Sequence, residues 1–189
     1  MSPQHVLDFW FGVPGDPDYG KARPFWFTKS AATDQLVRER FSGTVEEALR
    51  GGLDDWAATP SGALALILVL DQFTRNMFRD SPRAFAGDTQ ALRLASNLVD
   101  RHDDRRLAPL ERWFAYMPFE HSEFINDQIE SVRLFEQLAK DGLQEPLAWA
   151  IKHYEVIKRF GRFPHRNSIL ERESTPDEIE FLKEQGSRF

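Results

Sequence analysis

The chain has 189 residues, and its 24 Lys and Arg against 30 Asp and Glu give a formal net charge of −6. That balance supplies no global field for DNA, RNA or an anionic membrane, so no nucleic-acid or membrane partner is expected. There is no cysteine, which removes disulfide scaffolds, thiolate zinc sites, iron–sulfur clusters and cysteine nucleophiles and suits a reducing compartment.

Met1-Ser2-Pro3-Gln4-His5 has no basic region feeding an apolar run. The longest apolar stretch, Ala63 to Leu70, is eight residues, against the roughly 20 that a membrane helix needs. The expectation is an unexported, cytoplasmic protein with one domain over residues 1–189. Its 16 Phe, 5 Trp and 3 Tyr provide large, stiff side chains for a packed core.

The hydrophobic periodicity is helical nearly throughout. A first helix is expected over Val6 to Phe11, stopped by Gly12-Val13-Pro14-Gly15. The next runs from about Ala31 to Arg50, with Leu36, Phe41, Val45 and Leu49 as its apolar side, and a short helical turn follows at Leu53 to Ala57. Ser61 reads as the N-cap of a helix through Met77 whose first half is apolar on all sides, the signature of a helix surrounded by others. Ser81 and Pro82 open another that reaches the charged turn at Arg101. Pro109 starts a segment that Pro118 is expected to kink or divide, and from Phe119 a helical pattern continues to Gly142. A helix from about Glu145 to Phe160 ends at Gly161, and the capping box Thr175-Pro176-Asp177-Glu178 starts a last one ending near Lys183. The prediction is an all-α antiparallel array of about eight helices.

Three polar clusters interrupt this pattern. Asp71, Gln72, Arg75 and Asn76 follow directly on the most apolar helical run, and the pairs Asp71/Arg75 and Gln72/Asn76 have the i,i+4 spacing that lets side chains meet. Because the run before them is buried on every side, some of them should line a polar cleft. Glu120, Glu123 and Asp127, spaced three and then four apart, would share one helical face beside His121 and Gln128. Three carboxylates there need solvent, Arg, imidazolium or a hard cation. No Glu-x-x-His on a second helix and no His-Glu-x-x-His supports a metal, so neither metal nor cofactor is expected. The third cluster is the basic segment Lys158 to Asn167, whose Gly/Pro turn can direct Arg162, His165 and Arg166 inward, with His153 upstream. Arginine suits bidentate binding of carboxylate or phosphate.

The candidate ligand-binding residues are therefore Asp71, Gln72, Arg75, Asn76, Glu123, Arg162, Arg166 and Asn167, and the candidate acid–base residues are Glu120, His121 and His165. The chain has no phosphate-binding Gly-x-x-x-x-Gly-Lys, no dinucleotide Gly-x-Gly-x-x-Gly and no Gly-x-Ser-x-Gly elbow. The leading expectation is a helical protein that binds a peptide, a protein or a small anionic ligand in a polar cleft. The alternatives are a small-molecule hydrolase or lyase using Glu, His and Arg, and a scaffold with a closed polar core. A homodimer is a further option, since single Trp and Phe residues could form an interface, although no heptad seam fixes an oligomer.

Val6-Leu7-Asp8-Phe9-Trp10-Phe11-Gly12, Asp71-Gln72-Phe73-Thr74-Arg75-Asn76, Pro118-Phe119-Glu120-His121-Ser122-Glu123 and Gly161-Arg162-Phe163-Pro164-His165-Arg166-Asn167 together resemble the bacterial family known as domain of unknown function 924. The resemblance extends from Val6 to about Leu182, and four motifs in order make it specific; one departure is Thr74, where the family pattern usually has Pro or another residue. It implies an all-α fold similar to the tetratricopeptide-like superfamily and no established activity. Peptide or protein recognition would follow from that likeness by fold analogy only.

Overall fold

The computed structural model describes residues 1–187, and every regular element among them is helical. Helix α1 spans Pro3–Phe11 and α2 spans Ala31–Leu49. Helix α3 is one rod over residues 60–77: α-helical at Pro60–Ile67, π-helical at Leu68–Phe73 and α-helical again at Thr74–Met77. Then come α4 (Asp88–Asp100), α5 (Pro109–Glu120), α6 (Ile125–Lys140), α7 (Glu145–Phe160) and α8 (Pro176–Phe181).

Helix α3 is the axis of the core, packed by α1, α2, α4 and α5, and every residue from Gly62 to Phe73 is buried. An all-round apolar helix can be stable only when neighbours cover every face. Around its middle, Trp10 meets Phe73 at 5.6 Å and Phe114 edge-on at 5.4 Å, while Phe41 lies 4.7 Å from Phe73. These aromatic contacts join α1, α2, α3 and α5 in one layer. Helices α5, α6 and α7 follow one another through short links, which makes successive packed helices antiparallel. A smaller apolar cluster of Val156, Ile157, Phe163 and Phe181 ties α7 and α8 to the 161–172 segment.

Several local expectations change. Thr59, not Ser61, caps α3, because Pro60 occupies the first helical position and the Thr59 hydroxyl accepts from the Gly62 N–H. Ser81-Pro82 opens only a 3-10 turn, Pro82–Phe85, and α4 begins after Gly87. Leu36 faces outward; Val37, Phe41, Val45 and Ala48 form the buried side of α2. Pro118 does not divide the segment at its own position, since α5 continues to Glu120. The interruption comes at residues 121–124, where the expected continuous helix from Phe119 is broken. Gln128, reaching back from α6, donates to the Phe119, Glu120 and Ser122 carbonyls at 3.2, 2.7 and 2.6 Å. It thereby satisfies the carbonyls that a helix end leaves without partners.

Candidate functional site

The π-helical segment decides where the first polar cluster points. Its i+5 turn is wider than an α turn and leaves carbonyls to be met by other groups. The Thr74 hydroxyl donates to the Leu70 carbonyl at 2.8 Å, and Arg75 Nη1 donates to the Asp71 carbonyl at 2.8 Å. Asp71, with no exposed surface, lies in this segment. Its Oδ1 is 2.8 Å from His121 Nδ1 and 3.1 Å from Arg75 Nη1, and its Oδ2 accepts from Gln72 at 2.7 Å.

The geometry and charge of these groups fix their protonation. Burial alone would raise the Asp71 carboxyl, but the Arg75 charge and the His121 contact hold it well below the usual carboxylate range. Asp71 is therefore an acceptor, and neutral His121 carries its proton on Nδ1. Burial lowers the pKa of His121 more than Asp71 raises it, with Arg75 adding to the lowering. His121 Nε2 has no hydrogen-bond partner among the described residues.

Around this pair lie two arginines sharing one acid. Arg75 forms a two-pronged bond to Asp88 at 2.7 and 3.0 Å. Arg166 Nη2 donates to the His121 carbonyl at 2.9 Å, whereas its Nη1 stands 3.7 Å from Asp88 Oδ2 and its Nε has no partner. The Arg166 guanidinium is 4.7 Å from the ring centres of both Phe85 and Phe163. Burial and the Arg75 charge pull Arg166 down to about 10, against Asp88 and Glu123, so it remains a cation at neutral pH. The Arg75 and Asp88 side chains keep 20% and 24% of their surface exposed, which makes them the solvent-facing members of an otherwise buried cluster.

Glu120 lies behind His121. Its Oε1 is 3.1 Å from His153 Nδ1, which also contacts the Trp149 carbonyl at 2.9 Å, and its Oε2 has no partner. Burial and the nearby Asp71 charge push Glu120 up to about 8, while burial pulls His153 down to about 3. His165, 5.7 Å from the Phe163 ring, is likewise lowered to about 3, first by burial and then by Arg166. The His121 and His153 rings are 6.4 Å apart. Among the described residues no three His, Asp or Glu side chains are grouped so as to hold a metal ion.

The family described as bacterial protein of unknown function (DUF924) matches residues 6–186. The chain belongs to this family. A solved structure of a protein of unknown function from Agrobacterium tumefaciens is 36% identical, with a TM-score of 0.84 and 96% of each chain covered. No curated protein matches the chain.

Of the four segments that carry the resemblance to DUF924, three bring residues to this cluster, and the first packs behind it through Trp10 on Phe73. Not every sequence candidate arrives there. Asn76 donates to Asp34 at 2.7 Å beside the Arg79–Asp34 ion pair, so Gln72 and Asn76 do not meet. Arg162 forms a two-pronged bond to Glu178 at 2.6 and 2.8 Å and, with Arg159 and Phe160, lines a separate cavity of about 430 Å³. Asn167 bonds Ser174 and Glu178 at 3.0 and 3.2 Å. Glu120, Glu123 and Asp127 do not form one helical face, because the helix ends between them. Glu123 instead takes Arg172 at 2.7 and 3.0 Å and the Phe163 N–H at 2.8 Å, and Asp127 accepts from Ser122 at 2.6 Å.

Sequence reasoning missed Phe85, Asp88, Phe163 and Arg172 as members or supports of the cluster. Asp88 reads locally as an acid at a helix start and Arg172 as one charge in a polar tail, and neither spacing points to its partner. Phe163 lay inside a motif already singled out, and its place between two inward-turning basic residues was the available signal.

Proposed function

We propose that this chain binds a small anionic molecule, carrying a carboxylate or phosphate group, in a cleft at the partly exposed side of the cluster formed by Arg75, Phe85, Asp88, His121 and Arg166. The observation that carries the reading is Arg166: 7% exposed, flanked by two phenylalanine rings, with Nε lacking a partner and Nη1 beyond hydrogen-bond distance of Asp88. A buried guanidinium with unused donors is an incomplete arrangement, because desolvated N–H groups without acceptors are costly. An oxyanion supplies those acceptors with charge assistance. The phenylalanines restrict the guanidinium plane, so little ordering remains to be done on binding.

The test is isothermal titration of wild type and Arg166→Met with acetate, succinate, inorganic phosphate and phenyl phosphate. Saturable binding by wild type that weakens at least tenfold in Arg166→Met supports the reading. Equal binding by both proteins, or no saturation with any of the four, defeats it.

A second reading rests on a different observation, the Asp71–His121 pair with Nε2 left unpartnered. An imidazole oriented by a buried carboxylate has the form of a general base, and an anion held on Arg166 would be its substrate. Turnover of phosphate or carboxylate esters that disappears in His121→Gln supports catalysis; turnover unaffected by that change excludes His121 from it.

A further inference from the structure

The contact between Asp71 and His121 constrains what the cleft can accept. Asp71 is buried beside Arg75 and is ionised, so its Oδ1 accepts the Nδ1 proton of His121 at 2.8 Å. In neutral His121 the other ring nitrogen is then a bare lone pair, with no partner among the described residues. A lone pair repels an oxyanion and attracts a proton. The site we propose for anions therefore presents one acceptor among its donors.

The fixed charges give the same answer. Arg75 and Arg166 are balanced by Asp71 and Asp88. Among the described residues, the other titratable groups near the imidazole are His153 on α7, with its ring 6.4 Å away, Glu120 of α5 against that ring, and His165 in the 161–172 segment. At neutral pH Glu120 already holds its proton, and both histidines are strongly disfavoured as cations. An incoming anion would leave the cluster one negative charge in excess, and His121 is the group able to remove it. Its Nδ1 contact to Asp71 would also hold an imidazolium in place.

We infer that the cleft takes its ligand together with a proton, which resides on His121 Nε2 between the ligand oxyanion and the Asp71-bound ring; the ligand class is the conjugate base of an acid, captured as anion plus proton. This rests on the anion-binding reading above. The bond formed is Nε2–H, the proton comes from solvent, and Asp71 remains ionised throughout.

The experiment is isothermal titration of the full chain with sodium sulfate and with sodium acetate near pH 7, in buffers of different ionisation enthalpy, repeated across about pH 6 to 8. Neither probe changes its own protonation appreciably in that range. The expected result is about one proton taken up per anion and an affinity that falls about tenfold per pH unit on the alkaline side. His121→Gln should bind whatever it still binds without proton uptake, and Glu120→Gln should retain it. Histidine ¹⁵N NMR of the wild type, which needs no variant to fold, should show the His121 Nε2 signal change from bare to protonated nitrogen on sulfate addition. Wild-type binding without proton uptake overturns the inference and leaves the anion reading standing. Loss of uptake in Glu120→Gln moves the proton to Glu120 and also overturns it. Failure of both anions to bind overturns the inference, and the anion reading falls with it if succinate, inorganic phosphate and phenyl phosphate also fail to saturate.

Discussion

Gly87 lies directly against the carbonyl of Leu70: a Cβ on Gly87 would stand 2.2 Å from that oxygen. The φ of Gly87 is −94°, so the requirement is for space and not for an unusual dihedral. This approach joins the π-helical turn of α3 to the start of α4, and Asp88 follows immediately. Gly87→Ala should destabilise the chain by about 1–3 kcal/mol, the usual range for overpacking against unyielding atoms. Because the backbone must part, Asp88 should also withdraw from Arg75. Urea unfolding measures the first effect, and loss of anion affinity in a folded Gly87→Ala protein measures the second. A variant as stable as wild type contradicts the close approach.

Asp71→Asn keeps the shape of the side chain and removes its charge. Arg75 retains Asp88, but one partner of a fully buried ionic cluster is lost, which costs about 3–5 kcal/mol when a charge is left poorly compensated. The amide can also present its N–H to His121 Nδ1 and so reverse the tautomer. Thermal unfolding should show the loss, and histidine ¹⁵N spectra should show Nε2 protonated at neutral pH without any anion. An unchanged tautomer would contradict the assignment of Asp71 as acceptor.

Glu120, His153 and His165 set the pH range of stability. Glu120 is raised from 4.5 to about 8, so its contribution is fully present below pH 4.5 and is lost as pH rises through 8. His153 and His165 are lowered from 6.5 to about 3, so their contributions are present above pH 6.5 and are lost as pH falls toward 3. Thermal stability should decline on both sides, and Glu120→Gln should remove most of the alkaline decline. For a chain of this size, roughly 2–4 °C of midpoint corresponds to each kcal/mol. Parallel alkaline slopes for wild type and variant would assign the decline to another group.

Phe85 should matter through Arg166 more than through the core. It is half-buried beside Arg166 and holds the guanidinium face together with Phe163. Phe85→Leu keeps most of the apolar volume and removes the ring face, a loss of about 0.5–2 kcal/mol of cation–π attraction. Anion affinity should fall about 2- to 30-fold, with a smaller change in the midpoint of thermal unfolding. The reverse pattern would make Phe85 a packing residue only.

What the sequence determined by itself is what local physics decides. The helix Glu145–Phe160, closed by Gly161 at φ 71°, was legible from periodicity and a left-handed cap, as was the capping box at Thr175. The burial of residues 62–73 followed from the absence of any polar face before Asp71, and the i,i+4 spacing anticipated the contact of Asp71 with Arg75 at 3.1 Å. The tertiary structure alone decided the partners. Asp71 meets His121 across fifty residues, Glu123 meets Arg172 across forty-nine, and Arg75 meets Asp88 across a turn and a change of helix. A charge states only that it needs a counter-charge; which one it finds depends on how whole helices pack. The break at residues 121–124 belongs to the same class, because a helix end becomes affordable where Gln128 of the following helix satisfies its carbonyls.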